Sequence, residues 1–197
     1  MKFLIITDTH GIFKAIYDRN KENIPEVDQV ILLGDHSTVD VKQIKDIYPN
    51  CVGIYGNHDV YETLNGVICF DHKLLGSKFT YTGFNGSHRY KPAQIFGYNQ
   101  IESIQQAISL PKADVLFSHD GPFNREQDDA HCGLKGIDRY IQDNKPKTVI
   151  HGHLHKPNHY TYKYFLSSAE VYCVYQLAVV DFNDDGTVKE LIQLETI

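Results

Sequence analysis

The chain has 197 residues, 42% of them hydrophobic and 12% aromatic, and a formal net charge of −6. That apolar content is enough to fill a core, which excludes a disordered chain or a scaffold dependent on disulfides. Four widely spaced cysteines without a CxxC pair exclude a zinc knuckle or a dithiol redox motif.

In chain order, residues 3–6, 30–33, 51–55, 115–117 and 148–150 are short, continuously apolar runs that read as buried strands. Between them, residues 12–22 and 41–47 carry weak helical spacing. Ile101, Ile104 and Ile108 fall at i, i+3 and i+7, and Leu134, Ile137 and Ile141 repeat that spacing, so each set is expected to line one helix face. The alternation predicts an α/β sheet with helices on its faces. Residues 79–84 and the Tyr-, Val- and Thr-rich tail from 160 to 194 suggest a second, largely antiparallel sheet packed on the first. The tail is broken by the hairpin signal Asn183-Asp184-Asp185-Gly186. No linker or repeat intervenes, so residues 1–197 read as one domain. Met1-Lys2 and the short apolar run after them do not make a signal-peptide core, and no apolar run approaches a membrane span. A cytoplasmic protein with no membrane partner is expected. The acidic balance gives nucleic acid no support as a partner.

The candidate strands end in polar signatures: Asp8-Thr9-His10, Gly34-Asp35, Gly56-Asn57-His58-Asp59, Ser118-His119-Asp120 and Gly152-His153-Leu154-His155. Ligands of open α/β sheets bind beyond the carboxyl ends of the strands, so these segments are expected at one rim. If they are extended, residues at i and i+2 point the same way, and Asp8 with His10 and His153 with His155 each make a two-pronged clamp. The glycines before Asp35, Asn57 and His153 are expected to permit turns that other residues would strain. Four imidazoles, two carboxylates and one amide oxygen exceed the needs of one ion. Two divalent ions sharing a carboxylate fit better.

The ordered series DxH, GD, GNHD, H and GHxH, from Asp8 to His155, resembles the calcineurin-like metallophosphoesterase superfamily, in particular its small stand-alone bacterial and phage members. The resemblance implies a four-layer α/β/β/α sandwich of two mixed sheets flanked by helices. It also implies that Asp8, His10 and His155 hold one metal, that Asn57, His119 and His153 hold the other, and that Asp35 bridges them. His58 matches the catalytic histidine, acting on the leaving group or the phosphoryl oxygens. Protein serine/threonine phosphatases of the superfamily orient that histidine with an Asp three residues after the GD carboxylate. Here that position is Thr38, which leaves Asp59 or Asp40 as substitutes.

The expected activity is hydrolysis of a small phosphodiester or phosphomonoester, such as a nucleotide, by a metal-bridging hydroxide. Imidazole with carboxylate suits Mn, Fe, Zn or Ni. A nuclease of the same fold and a non-enzymatic interaction module are the alternatives. In the loop Gly86-Ser87-His88-Arg89-Tyr90-Lys91, Arg89 and Tyr90 are candidates to bind a phosphate and an attached ring. His36, His131 and His151 lie beside motif residues and suit either supporting roles or plain packing.

Overall fold

The computed structural model describes residues 1–128, 130–164 and 167–197, with the backbone alone described for 158–164 and 167. The strands are β1 (Lys2–Ile6), β2 (Gln29–Leu32), β3 (Val52–Gly53), β4 (Ile68–Cys69), β5 (Leu75–Gly76), β6 (Thr80–Phe84), β7 (Ser87–His88), β8 (Gly97–Tyr98), β9 (Val115–Ser118), β10 (Thr148–His151), β11 (Asn158–Tyr164), β12 (Ser167–Cys173), β13 (Leu177–Phe182) and β14 (Val188–Gln193). The helices are α1 (Phe13–Asn20), α2 (Thr38–Ile47), α3 (Gln100–Ser109) and α4 (Lys135–Asn144). One sheet has the order β14-β13-β1-β2-β3-β4 and the other β11-β12-β10-β9-β6-β5, with β7-β8 as a small separate ladder. Among the described residues, no helix is long and apolar enough to cross a membrane.

Period-two alternation in the apolar runs explains the layers. Phe3, Ile5 and Ile31 of the first sheet meet Val115, Phe117 and Ile150 of the second in a shared inner core. The intervening Leu4, Ile6, Val30 and Leu32 turn the other way, onto Phe13 and Ile16 of α1 and Val41 and Ile44 of α2. On the far side Leu116, Val149 and Val171 pack against Ala107 of α3 and Ile137 and Ile141 of α4. The result is the expected α/β/β/α sandwich. Each fully buried Leu, Ile or Phe side chain contributes about 1.5–3 kcal/mol, which is why the runs buried on both faces are mostly apolar.

The division of strands between sheets differs from the sequence reading. The runs at 115–117 and 148–150 belong to the second sheet, and the β13–β14 hairpin belongs to the first, where β13 pairs antiparallel with β1. The second sheet is not largely antiparallel, since β6–β9, β9–β10 and β10–β12 all pair in parallel. For β6–β9 and β9–β10 the cause is the crossover: α3 joins β6 to β9 and α4 joins β9 to β10, and a helical crossover returns the chain in the same direction. The turn at Asn183 forms as expected, with the Asn183 N–H donating to the Thr187 carbonyl at 2.9 Å. The burial of Tyr160, Tyr162 and Tyr164 in the expected tail strands lies outside the described residues.

Helix α4 buries Ile137 and Ile141, with Leu134 fully buried just before it, as its spacing predicts. Helix α3 does not follow its spacing: Ile101 is 70% and Ile108 64% exposed, and the buried positions are Ser103 and Ala107. Small side chains on that face let α3 approach α4 closely, with the Gly136 N–H donating to Ser103 Oγ at 3.0 Å.

Candidate metal centre

Parallel strands of both sheets end at one rim. From the first sheet, β1 delivers Asp8 and His10, β2 delivers Asp35, and the segment after β3 delivers Asn57 and His58. From the second, β9 delivers His119 and β10 delivers His153 and His155. Five of these residues adopt the left-handed backbone conformation. Asp8 (φ 51°), His10 (43°), Asp35 (58°), His153 (67°) and His155 (54°) make up most of the non-glycine residues with positive φ among those described. Such conformations are costly outside glycine and persist where the surroundings impose them, commonly at functional sites.

The extended-clamp expectation is therefore replaced. Asp8 and His10 converge through a left-handed turn, and His153 and His155 part company, each joining a different cluster. Of the preceding glycines, Gly34 has the positive φ (92°) that the turn reading requires. Gly152 serves by leaving room, since a Cβ there would lie 2.2 Å from Thr7 Oγ1.

Asp8, His10 and His155 bring one donor atom each to within 4.8 Å of one another, and so do Asp35, His119 and His153. Each triad draws on both sheets. Asp35 Oδ2 stands between them, 3.8 Å from His10 Nε2 and 3.5 Å from His119 Nε2. His119 Nε2 also lies 2.9 Å from Asn57 Oδ1. The second triad is buried, whereas His10 and His155 are exposed. His58 is exposed too, its ring 5.4 Å from that of His10, and it belongs to neither triad.

Neither Asp59 nor Asp40 touches the His58 imidazole. Asp59 is buried and accepts the N–H groups of Asp35 (3.0 Å), His36 (2.9 Å) and Gly56 (2.7 Å), tying the second and third motifs together. Burial, with the Asp35 charge adding to it, pushes its carboxyl up to about 6. Asp40 accepts from Thr9 Oγ1 (2.8 Å) and from the Gly11 (2.6 Å) and Phe13 (3.0 Å) N–H groups, bracing the first motif. What reaches His58 is the Tyr90 hydroxyl, 3.3 Å from Nε2, which also accepts from Asn57 Nδ2 at 3.1 Å.

Arg89 is not brought to this group. Its guanidinium meets the Gly97 carbonyl at 2.5 Å and the Glu102 carboxylate at 3.2 Å, on the α3 side of the loop. His36 Nδ1 meets Thr9 Oγ1 at 2.7 Å, and burial pushes its imidazole down to about 4. His151 Nδ1 donates to the Gly152 carbonyl at 3.0 Å. The His131 ring lies 5.3 Å from that of His153. The sequence reading missed Thr7, whose hydroxyl donates to Asp8 Oδ2 at 2.7 Å, and the fixing role of Thr9. The TDTH spacing, with a hydroxyl before and after the carboxylate, was their only signal.

With this geometry in place, the family comparison is decisive: a model of the calcineurin-like phosphoesterase superfamily domain matches residues 1–171. The chain belongs to that superfamily. No curated protein sequence matches it. The protein TT1561 of Thermus thermophilus is similar in structure, with a TM-score of 0.61 at 12% identity over 91% of this chain and 93% of that one. A conserved protein of Streptococcus pneumoniae TIGR4, described as a predicted phosphoesterase, gives 0.50 at 12% identity over 98% and 97%. A double mutant of Vps29 from Entamoeba histolytica gives 0.50 at 13% over 99% and 100%. At these identities the likeness is one of fold.

Members of this superfamily typically bind divalent metals, and the donors here fit them. Asp8 Oδ1 and Asp35 Oδ2 are buried without a hydrogen-bond partner, a costly state for carboxylate oxygens unless a cation faces them. His119 Nδ1 lies 2.7 Å from the Leu33 carbonyl, which can only accept, so Nδ1 carries a proton. Nε2 then points at two further acceptors, Asn57 Oδ1 and Asp35 Oδ2, and only a proton or a metal can hold that contact. Burial pulls the His119 pKa down, but Asp35 and Asp8 outweigh it and raise it to about 10. For Asp8, burial acts upward and is outweighed, first by His155, whose Nε2 lies 3.4 Å from Oδ1, leaving the carboxyl below its usual range. His153 Nε2 donates to the Ala130 carbonyl at 2.8 Å, which leaves Nδ1 as its lone-pair donor toward the cluster.

Proposed function

We propose that the chain is a dinuclear-metal phosphoesterase that hydrolyses a small phosphate ester. The observation that carries this reading is the position of Asp35 Oδ2, buried, unpartnered and within 3.8 Å of a histidine from each triad. One ion would be held by Asp8, His10 and His155, the other by Asn57, His119 and His153, with Asp35 shared. Divalent ions so placed lower the pKa of water and neutralise charge on a phosphoryl group, a role open to Mn, Fe, Zn or Ni.

The protein's own groups supply the rest. The His58 imidazole, exposed beside the first triad, donates a proton to the departing alcohol oxygen. Its backbone N–H donates to Asp35 Oδ1 at 2.8 Å, so the turn carrying it is tied to the shared carboxylate. The Tyr90 hydroxyl fixes the imidazole and the Asn57 amide relative to each other.

Metal analysis should find about two divalent ions per chain. Hydrolysis of bis-p-nitrophenyl phosphate with Mn²⁺ should be abolished by EDTA, and Asp35→Asn should lower metal content and turnover together. Full metal content and turnover in Asp35→Asn would exclude the shared carboxylate. No hydrolysis of any mono- or diester with Mn²⁺, Ni²⁺, Fe²⁺ or Zn²⁺ would favour a non-enzymatic interaction module on the same fold.

A further inference from the structure

Beside His58 the surface opens into a cleft of about 210 Å³ between the turn at Asn57–Val60 and the loop from Tyr90 to Ile95. We infer that this cleft seats the leaving alcohol and selects one that carries a flat aromatic ring. The inference rests on the phosphoesterase reading for its location. If His58 protonates the alcohol oxygen, that oxygen lies within hydrogen-bond reach of the imidazole, and the carbon body beyond it must occupy the space that adjoins His58.

The chemistry of the walls decides what fits there. Val60 and Ile95 are aliphatic, 43% and 45% exposed, and both face this cleft, so apolar surface is left open to water beside the reacting group. Tyr90 adds its ring, with Lys91 Nζ 4.9 Å from the ring centroid. Asp59 also borders the cleft, but three backbone N–H groups occupy its carboxylate, so it presents no free anion to an incoming ring.

Gln94 holds the loop in shape. Its Oε1 accepts from the Tyr90 N–H at 2.8 Å and the Lys91 N–H at 2.9 Å, while its Nε2 is buried with no partner. Size agrees with the apolar walls: an engineered apolar cavity of about 150 Å³ takes benzene. The cleft therefore suits a single substituted ring or a fused pair, and a methyl or ethyl group would leave it unfilled.

Binding tests this apart from turnover. The full chain supplied with Mn²⁺ is titrated calorimetrically with (1-naphthyl)methylphosphonate and with methylphosphonate, which share a phosphonate and differ in the ring. The aromatic ligand should bind roughly tenfold or more tightly, the scale on which apolar pockets discriminate. Val60→Asp and Ile95→Asp, each checked for folding by circular dichroism, should cut that ratio to about threefold or less by setting a carboxylate against the ring. Ile108→Asp, at an exposed position on α3, should leave the ratio unchanged. Equal affinity for the two ligands, or a ratio that survives both cleft substitutions, overturns the inference. An intact ratio in a protein that hydrolyses no mono- or diester with Mn²⁺, Ni²⁺, Fe²⁺ or Zn²⁺ would sink the phosphoesterase reading and leave the cleft standing.

Discussion

At the level of single residues, ligand and catalyst can be told apart at Asn57 and His58. Asn57 points its amide oxygen at His119, whereas the His58 ring lies outside both triads. His58→Ala should therefore keep both metals and lower kcat by roughly 10²–10⁴-fold, most for esters of poorly acidic alcohols. Metal loss in that variant would make His58 a ligand. Asp40 gives a stability prediction with a defined sign. Burial acts to raise its carboxyl, but the Thr9 hydroxyl and the backbone N–H groups it accepts hold it below the ordinary 3.8. A depressed carboxyl stabilises the fold above its unfolded pKa and loses that contribution as pH falls through the folded value. Asp40→Asn should thus cost about 1–3 kcal/mol at pH 7 in chemical denaturation, shrinking below about pH 4. An unchanged cost at pH 3 would contradict it. The motif residues were legible because each sits in a short contiguous signature. The roles of Asp59, Asp40 and Tyr90 were not, because their partners are backbone or side-chain groups 20–30 or so residues away, which spacing does not record. The direction of Arg89 was not legible for a related reason: adjacency to Tyr90 says nothing about which way a side chain leaves its loop.

At the level of elements, the helices show where periodicity succeeds and fails. Spacing on α4 picks out its buried face because that face packs on the second sheet. On α3 the same spacing marks the exposed side, since contact with α4 is made through Ser103 and Ala107. Ser103→Leu should destabilise by about 1–3 kcal/mol through overpacking. Ile101→Glu should shift stability by about 0.5 kcal/mol or less in the same denaturant titration, as is usual at exposed positions. The reverse order of effects would mean that the apolar face of α3 is covered. The allocation of strands to sheets was illegible for a different reason: a strand buried on both faces has the same composition in either sheet.

For the whole molecule, the arrangement of the triads links metal content to the fold. Saturating metal should raise the apparent stability by about 2.7 kcal/mol for each ion at a free concentration of 100 Kd. For a chain of this size each ion thus gives a rise in Tm of roughly 5–10 °C, removable with EDTA. The exposed His10 and His155 make the first triad the one to empty first, with the buried triad second. A chelator series monitored by metal analysis should show two steps. Because each triad draws on both sheets, an ion bound there is a cross-brace between strands of different sheets. Stripping the ions should therefore show in amide hydrogen exchange as faster opening at the carboxyl ends of β1 and β10 together. The amino end of β1, held by the aromatic core around Phe3, should keep its rate.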